Sequence, residues 1–191
     1  MGKRKIPFTK TIYIDATDYE IEPPAGYKRL SPNNPEIRLR NSYILKVNEH
    51  KTDDAGNVIE LIATIDEHTL GNNPEGRKVK GVIHWVSATH GVTALVRLYD
   101  HLLLEEDEID ASLAQNALGA DADAFWINRH LNPNSLTVYQ AVVEPDLAKA
   151  AAGERFQFER ESYFIADSVE HTQSSPVFNQ IVSLKDSFKP E

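Results

Sequence analysis

The run Arg77-Lys78-Val79-Lys80-Gly81-Val82-Ile83-His84-Trp85-Val86-Ser87 decides the fold class. Val79, Gly81, Ile83 and Trp85 fall on one side of a period-2 pattern; Lys78, Lys80, Val82 and His84 fall on the other. β-Branched residues and an aromatic suit a pleated, half-buried backbone, so the pattern predicts a strand. Gly81 either leaves room for another backbone or a ligand, or marks a bend. The three cations at the start set the strand's first residues in a positive field.

The same period recurs along the chain. Lys10–Asp15 predicts a strand, with Pro7 keeping it at an edge. Pro23 and Pro24 have no N–H to give a ladder, so residues 21–26 form a loop that delivers Tyr27-Lys28-Arg29-Leu30. Glu36–Lys46 alternates, which sets Arg38 and Arg40 on one strand face about 7 Å apart. Paired guanidiniums suit phosphates or base edges, and two solvated arginines are equally compatible with the pattern. Asp53–Asn57 is a turn that folds Val58–Ile65 back as a hairpin. Thr93–Asp100, Asn134–Val143, Arg155–Ala166 and Val177–Leu184 are further strands, and in the third Phe156 and Phe158 alternate with Gln157 and Glu159. Helical signals are short: Ser112–Leu118, Asp123–Leu131 and Asp146–Ala152. Many short strands joined by turn chemistry predict an all-β barrel or sandwich plan in two units.

Composition narrows the partners. The 191 residues carry a net charge of −9, which on its face opposes a polyanion. The charge is uneven, however. Residues 1–100 hold 14 Lys+Arg against 13 Asp+Glu, and residues 101–191 hold 6 against 16. Affinity for nucleic acid follows local cation placement, so a basic surface is expected from the first half. The acidic run from Glu105 reads as a solvated surface insertion. No apolar run approaches the ~20 residues of a membrane span, and the basic amino terminus has no apolar signal core behind it. With no cysteine, disulfides, thiolate metal sites and cysteine nucleophiles are excluded, as suits a reducing cytoplasm.

Catalytic motifs are missing. The sequence has no Gly-rich phosphate loop after a strand, no Gly-x-Ser-x-Gly elbow and no His-Glu-x-x-His pair. Its seven histidines are scattered, and the His84/His90 spacing is not a ligand signature. Trp85 and Trp126 are expected as core or helix-face residues.

The opening run also resembles a block in the carboxyl-terminal part of glutaminyl-tRNA synthetases. Further blocks follow in the family's order: Ile6-Pro-Phe, Tyr27-Lys-Arg-Leu, Arg38-Leu-Arg-Asn, Arg97-Leu-Tyr-Asp100, Phe156-Gln-Phe-Glu-Arg-Glu161 and Pro176-Val-Phe-Asn179. The resemblance implies two antiparallel β-barrels that grip the anticodon loop of a glutamine tRNA. A proximal barrel is implied for residues 1–25 and 90–191, with an acidic insertion at about 105–125, and a distal one for residues 26–89. It implies that Lys28 and Arg29 surround the third anticodon base. Arg38, Arg40 and Asn41 would grip the first base and its phosphates, and Gln157, Glu159 and Arg160 would line the pocket of a middle uracil. The family's ATP-binding signatures are not in this sequence. ATP and magnesium are therefore implied for a catalytic domain of the parent enzyme, and no aminoacylation by this segment alone is expected. A monomer in the cytoplasm is expected, with tRNA as partner and no membrane. Two departures bear on the site: Ala25-Gly26 stand where the family often has a glutamine before Tyr-Lys-Arg, and an arginine that helps close the middle-base pocket is expected upstream. The alternatives are the corresponding part of a glutamyl-tRNA synthetase of the archaeal and eukaryotic type, a ribosomal-RNA-binding barrel protein, or a protein-interaction module.

Overall fold

The computed structural model describes residues 4–104 and 130–184. The predicted helix Ser112–Leu118, most of Asp123–Leu131, Trp126 and the acidic insertion lie outside them. The architecture is all-β. The strands are β1 (Ile12–Tyr13), β2 (Glu36–Leu39), β3 (Ile44–Thr52), β4 (Val58–Asp66), β5 (Val82–Ile83), β6 (Val86–Ser87), β7 (Val92–Tyr99), β8 (Leu136–Val143), β9 (Arg155–Phe158), β10 (Ser162–Ala166) and β11 (Val177–Ser183). The chain divides into two compact units, Met1–Gly91 and Val92–Glu191. This division puts residues 1–25 in the first unit, where the resemblance groups them with residues 90–191.

In the first unit the sheet runs β4-β3-β2-β5, and β1 pairs separately with β6. The core is made by alternate residues of these strands and the loops between them: Tyr19, Leu30, Ile37, Leu39, Val47, Ile83 and Trp85. Each large apolar side chain buried this way contributes about 1.5–3 kcal/mol. Ile6, Ile12 and Ile14 pack against the same cluster. In the second unit the sheet runs β8-β7-β11-β10-β9. Ala94, Val96, Val143, Phe164, Ala166 and Phe178 form its core, with Phe156 and Phe158 packed against them as their alternation predicts.

Several segments differ from the sequence expectation. The run 77–87 is not one strand: only Val82–Ile83 and Val86–Ser87 pair. Gly81 breaks it with φ of +89°. Glu36–Lys46 is divided by a turn at Arg40-Asn41, and Arg155–Ala166 by a turn at residues 159–161. The sheets are not purely antiparallel, because β2 pairs with β5 and β7 with β11 in parallel. Their hydrogen-bonded orders are linear among the described residues. The expected Asp146–Ala152 helix is a 3-10 segment, Pro145–Lys149.

Candidate nucleic-acid interface

Three short segments carry the residues singled out by sequence. The first is the loop before β2. Gly81 packs so tightly that an added Cβ would stand 2.9 Å from the Lys28 carbonyl oxygen. The close approach that glycine permits is therefore to the backbone of Lys28 itself. Lys28 is exposed. The Arg29 guanidinium lies 3.1 Å from the carboxylate of Asp18, which is fully buried, and donates to the Thr17 carbonyl and hydroxyl at 3.2 Å each. Tyr27 donates to the Thr17 carbonyl at 2.8 Å. Residues 27–29 are thus tied to 17–18, and Arg29 keeps about two-fifths of its side chain in solvent.

The second segment is the β2–β3 turn. Ser42 donates its backbone N–H to the Leu39 carbonyl (2.9 Å), and Asn41 sits in the left-handed region with φ of 54°. Asparagine tolerates that conformation better than most residues. The backbone of Arg40 is held on both sides: its N–H donates to the Ile83 carbonyl (2.9 Å), and its carbonyl accepts from the Trp85 indole N–H (2.9 Å). Trp85 is buried, as expected, and packs edge-to-face with Phe8. The central run thus positions Arg40. Arg38 differs from the expectation of two arginines side by side on a strand face. Its guanidinium donates to three backbone carbonyls: Ser42 (3.0 Å), Thr69 (2.8 Å) and Asn72 (2.5 Å). Such bonds from a charged donor contribute roughly 1.5–3 kcal/mol each. Arg38 therefore clamps the loop after β4 to the β2–β3 turn, and Arg40 projects from the turn itself, outside β2.

The third segment is the β9–β10 hairpin. Glu161 donates its N–H to the Phe158 carbonyl (3.0 Å), and Arg160 takes φ of 71° at the tip. Gln157 is exposed on β9, at the edge of the sheet, directly opposite Tyr163. Phe156 and Phe158 point inward on either side of it, so the register is fixed by burial. Among the described residues, Asn41 and Arg160 are the two non-glycine residues with positive φ. Both lie at positions carried over from the resemblance, one in each unit.

Two further arginines are held in ion pairs. Arg77 bonds Asp66 (2.7 Å) and Glu36 (3.2 Å), and its hydrogen bond holds the Asp66 carboxyl below the usual carboxylate range. Arg97 pairs with Glu170 (2.5 Å) and Asp167 (3.6 Å). Lys78 and Lys80 are exposed. Sequence reading did not find the Arg38 clamp or the Tyr163–Gln157 pair. The clamp spans 31 positions along the chain and leaves no local mark. The pair follows once the hairpin turn is placed at 159–161.

Comparison with known proteins gives the same assignment to both units. Two family models described as "tRNA synthetases class I (E and Q), anti-codon binding domain" match residues 1–66 and 82–167. A glutamine–tRNA ligase of Stutzerimonas stutzeri is 50% identical over 98% of this chain and 32% of its own length. One from Neisseria meningitidis is 48% identical over 100% of this chain and 33% of its own length. One from Ectopseudomonas mendocina is 49% identical over 98% and 32%. The chain spans about a third of the length of these curated relatives. The chain belongs to the anticodon-binding domain family of the class I tRNA synthetases for glutamate and glutamine.

Proposed function

We propose that this chain reads the anticodon loop of a glutamine tRNA for a class I glutaminyl-tRNA synthetase, whose ATP- and magnesium-dependent step attaches glutamine to that tRNA. The observation that carries the reading is the pair of hairpin tips. A left-handed backbone at an arginine costs about 1–3 kcal/mol and persists where the surroundings enforce it, often at functional sites, whereas asparagine tolerates it as a turn residue. Here Asn41 sits beside Arg40, and Arg160 beside Glu159. In this reading Lys28 and Arg29 attend the third base. Arg40 and Asn41 grip the first base and its phosphates, with Arg38 holding their turn through its carbonyl bonds. Gln157 offers a donor and an acceptor to a middle uracil, with Glu159 and Arg160 at the same hairpin. Splayed-out bases of single-stranded loops are read in this way. The protein acts as a cytoplasmic monomer.

The test is binding of the chain to a stem-loop RNA carrying the glutamine anticodon. Loops with each anticodon base changed and a ribosomal RNA stem-loop serve as competitors. The reading requires the glutamine loop to bind more tightly than every single-base variant. Equal binding of all loops would favour a general RNA-binding barrel protein. A preference for a glutamate anticodon would favour the glutamyl enzyme.

A further inference from the structure

The outer face of the β9–β10 hairpin contains more than an amide. In antiparallel pairing, directly opposed residues share a face with Cβ atoms about 4.5–5.5 Å apart. Gln157 opposes Tyr163, Arg155 opposes Ile165, and Tyr163 opposes Val182 on β11. One face thus carries an exposed cation (Arg155), an exposed amide (Gln157), an aromatic ring (Tyr163) and an aliphatic flank (Val182). Tyr163 is 42% exposed and Val182 54%, while the inward residues Phe164 and Ala166 are 2% and 0%. The alternation in β10 therefore leaves out a tyrosine ring that the core of the unit does not use. The strand register shifts between Tyr163 and Phe164 against β11. The shift leaves Ile181 of β11 without an opposed residue on β10.

We infer that Tyr163 is a stacking platform: it takes the face of a splayed-out RNA base whose edge the neighbouring Gln157 amide reads. The inference rests on the proposed binding of the anticodon loop and adds a residue that supplies affinity to one that supplies discrimination. The chemistry is complementary. An amide one strand away from a ring reaches the edge of a base laid on that ring, and Arg155 at the far end of the face offers a charge to the backbone. The hairpin tip carries two carboxylates, Glu159 and Glu161, against the one cation Arg160, a net negative charge that disfavours a phosphate there and leaves the base as the group that lies near the tip. Stacking on an aromatic tolerates any base, because every base has a π-face. The two residues therefore predict different mutational signatures.

The experiment uses the chain with a stem-loop RNA carrying the glutamine anticodon, and a second RNA with 4-thiouridine at the middle anticodon base. Tyr163→Phe keeps the ring and is expected to bind within about twofold of the unaltered chain. Tyr163→Leu is expected to lose about five- to a hundredfold, equally for loops with uracil or cytosine in the middle. Gln157→Ala is expected to lose more on the uracil loop. Irradiation should cross-link the thiouridine to the peptide containing Tyr163. This cross-link is read on the unaltered chain, so it decides the matter even if the leucine variant fails to fold. If the unaltered chain binds, but Tyr163→Leu binds as well and the cross-link maps elsewhere, the inference is overturned and the anticodon-loop reading stands. Equal losses from Tyr163→Phe and Tyr163→Leu would also overturn it. If no binding is seen with the unaltered chain or with the same chain joined to the rest of the synthetase, the anticodon-loop reading itself fails.

Discussion

Arg160 holds a backbone conformation that glycine would adopt without strain, and the structure keeps an arginine there. Under the proposed function, local stability and binding are opposed at this one residue. Arg160→Gly should leave the melting temperature unchanged or raise stability by up to about 1 kcal/mol, since relief of strain outweighs the added chain entropy. It should at the same time weaken binding of the anticodon stem-loop. Thermal melts and RNA titration of the same sample check both halves, and a clear loss of stability would show that the side chain is needed for folding. Gly81 is the converse case. An alanine there would meet φ of +89° and a carbonyl oxygen at 2.9 Å, so Gly81→Ala should cost about 1–3 kcal/mol. The shift in the urea midpoint measures it; because the oxygen belongs to Lys28, RNA affinity should fall as well. Under the proposed function, Gln157 and Arg40 separate reading from holding. Gln157→Ala, assayed with cognate and middle-base-changed RNA, should narrow the difference between them by about 1–3 kcal/mol. Arg40→Ala should weaken both about equally. Equal losses on both RNAs from Gln157→Ala would place the uracil contact on another strand.

At the scale of elements, the parallel pairing of β7 with β11 is pinned by a polar cluster. Asp167, just past β10, accepts backbone N–H groups of Glu170 (2.7 Å) and Val169 (2.8 Å) and the Asn179 amide (2.6 Å), with Arg97 alongside. These bonds to the ionised form hold its carboxyl down to about 2 against an ordinary value of 3.8. Tyr99 extends the cluster by donating to the Asn179 amide oxygen at 3.2 Å. A lowered folded-state value means that the stabilisation is fully present above about pH 4 and is lost as pH falls through about 2. The urea midpoint of Asp167→Asn should lie below that of the unaltered chain at pH 6, with the gap shrinking between pH 4 and pH 2. A gap independent of pH would place the stabilisation in shape and not in charge. The cluster also shows which parts of the fold were legible in sequence. Arg97, Tyr99 and Asn179 are visible as blocks of the family resemblance, and the strands they sit on follow from period-2 alternation. Their pairing in parallel depends on contacts some eighty positions apart, which alternation does not encode. The hairpin turns were partly legible. Asn41 in Arg40-Asn41-Ser42 is a residue type that favours a left-handed turn. Arg160 has no such preference, so the continuous strand expected over Arg155–Ala166 concealed the tip.

At the scale of the whole chain, the question is how a protein of net charge −9 would bind a polyanion, as the proposed function requires. Self-neutralisation provides part of the answer. Asp18, Glu36, Glu60, Asp66, Asp146, Asp167 and Glu170 are engaged by Arg29, Arg77, Lys51, Lys149 and Arg97, so many carboxylates of the described residues already have a cation beside them. Exposed cations outside those pairs then set the local field. Lys28, Lys78 and Lys80 are exposed in the first unit, with Lys28 held against Gly81 by the backbone contact. The second half carries 16 acids against 6 bases, so it repels phosphate except near an exposed cation such as Arg155 on β9. A binder built on few cations should show a modest but clear dependence on salt. Each phosphate neutralised on a single strand contributes about −0.7 to the slope of log affinity against log salt. With Lys28, Arg40 and one or two of the exposed lysines engaged, the slope for the anticodon stem-loop should be about −2 to −3, so a tenfold rise in salt should weaken binding by roughly a hundred- to a thousandfold. Replacing Lys78 and Lys80 by alanine should make the slope shallower by at most about 1.4, while leaving the preference for the glutamine anticodon intact. A titration series in potassium chloride with cognate and middle-base-changed loops measures both quantities together. A flat salt response would mean that base contacts alone supply the affinity; a change in preference with the lysine variants would give those residues a role in reading bases and not in holding the backbone.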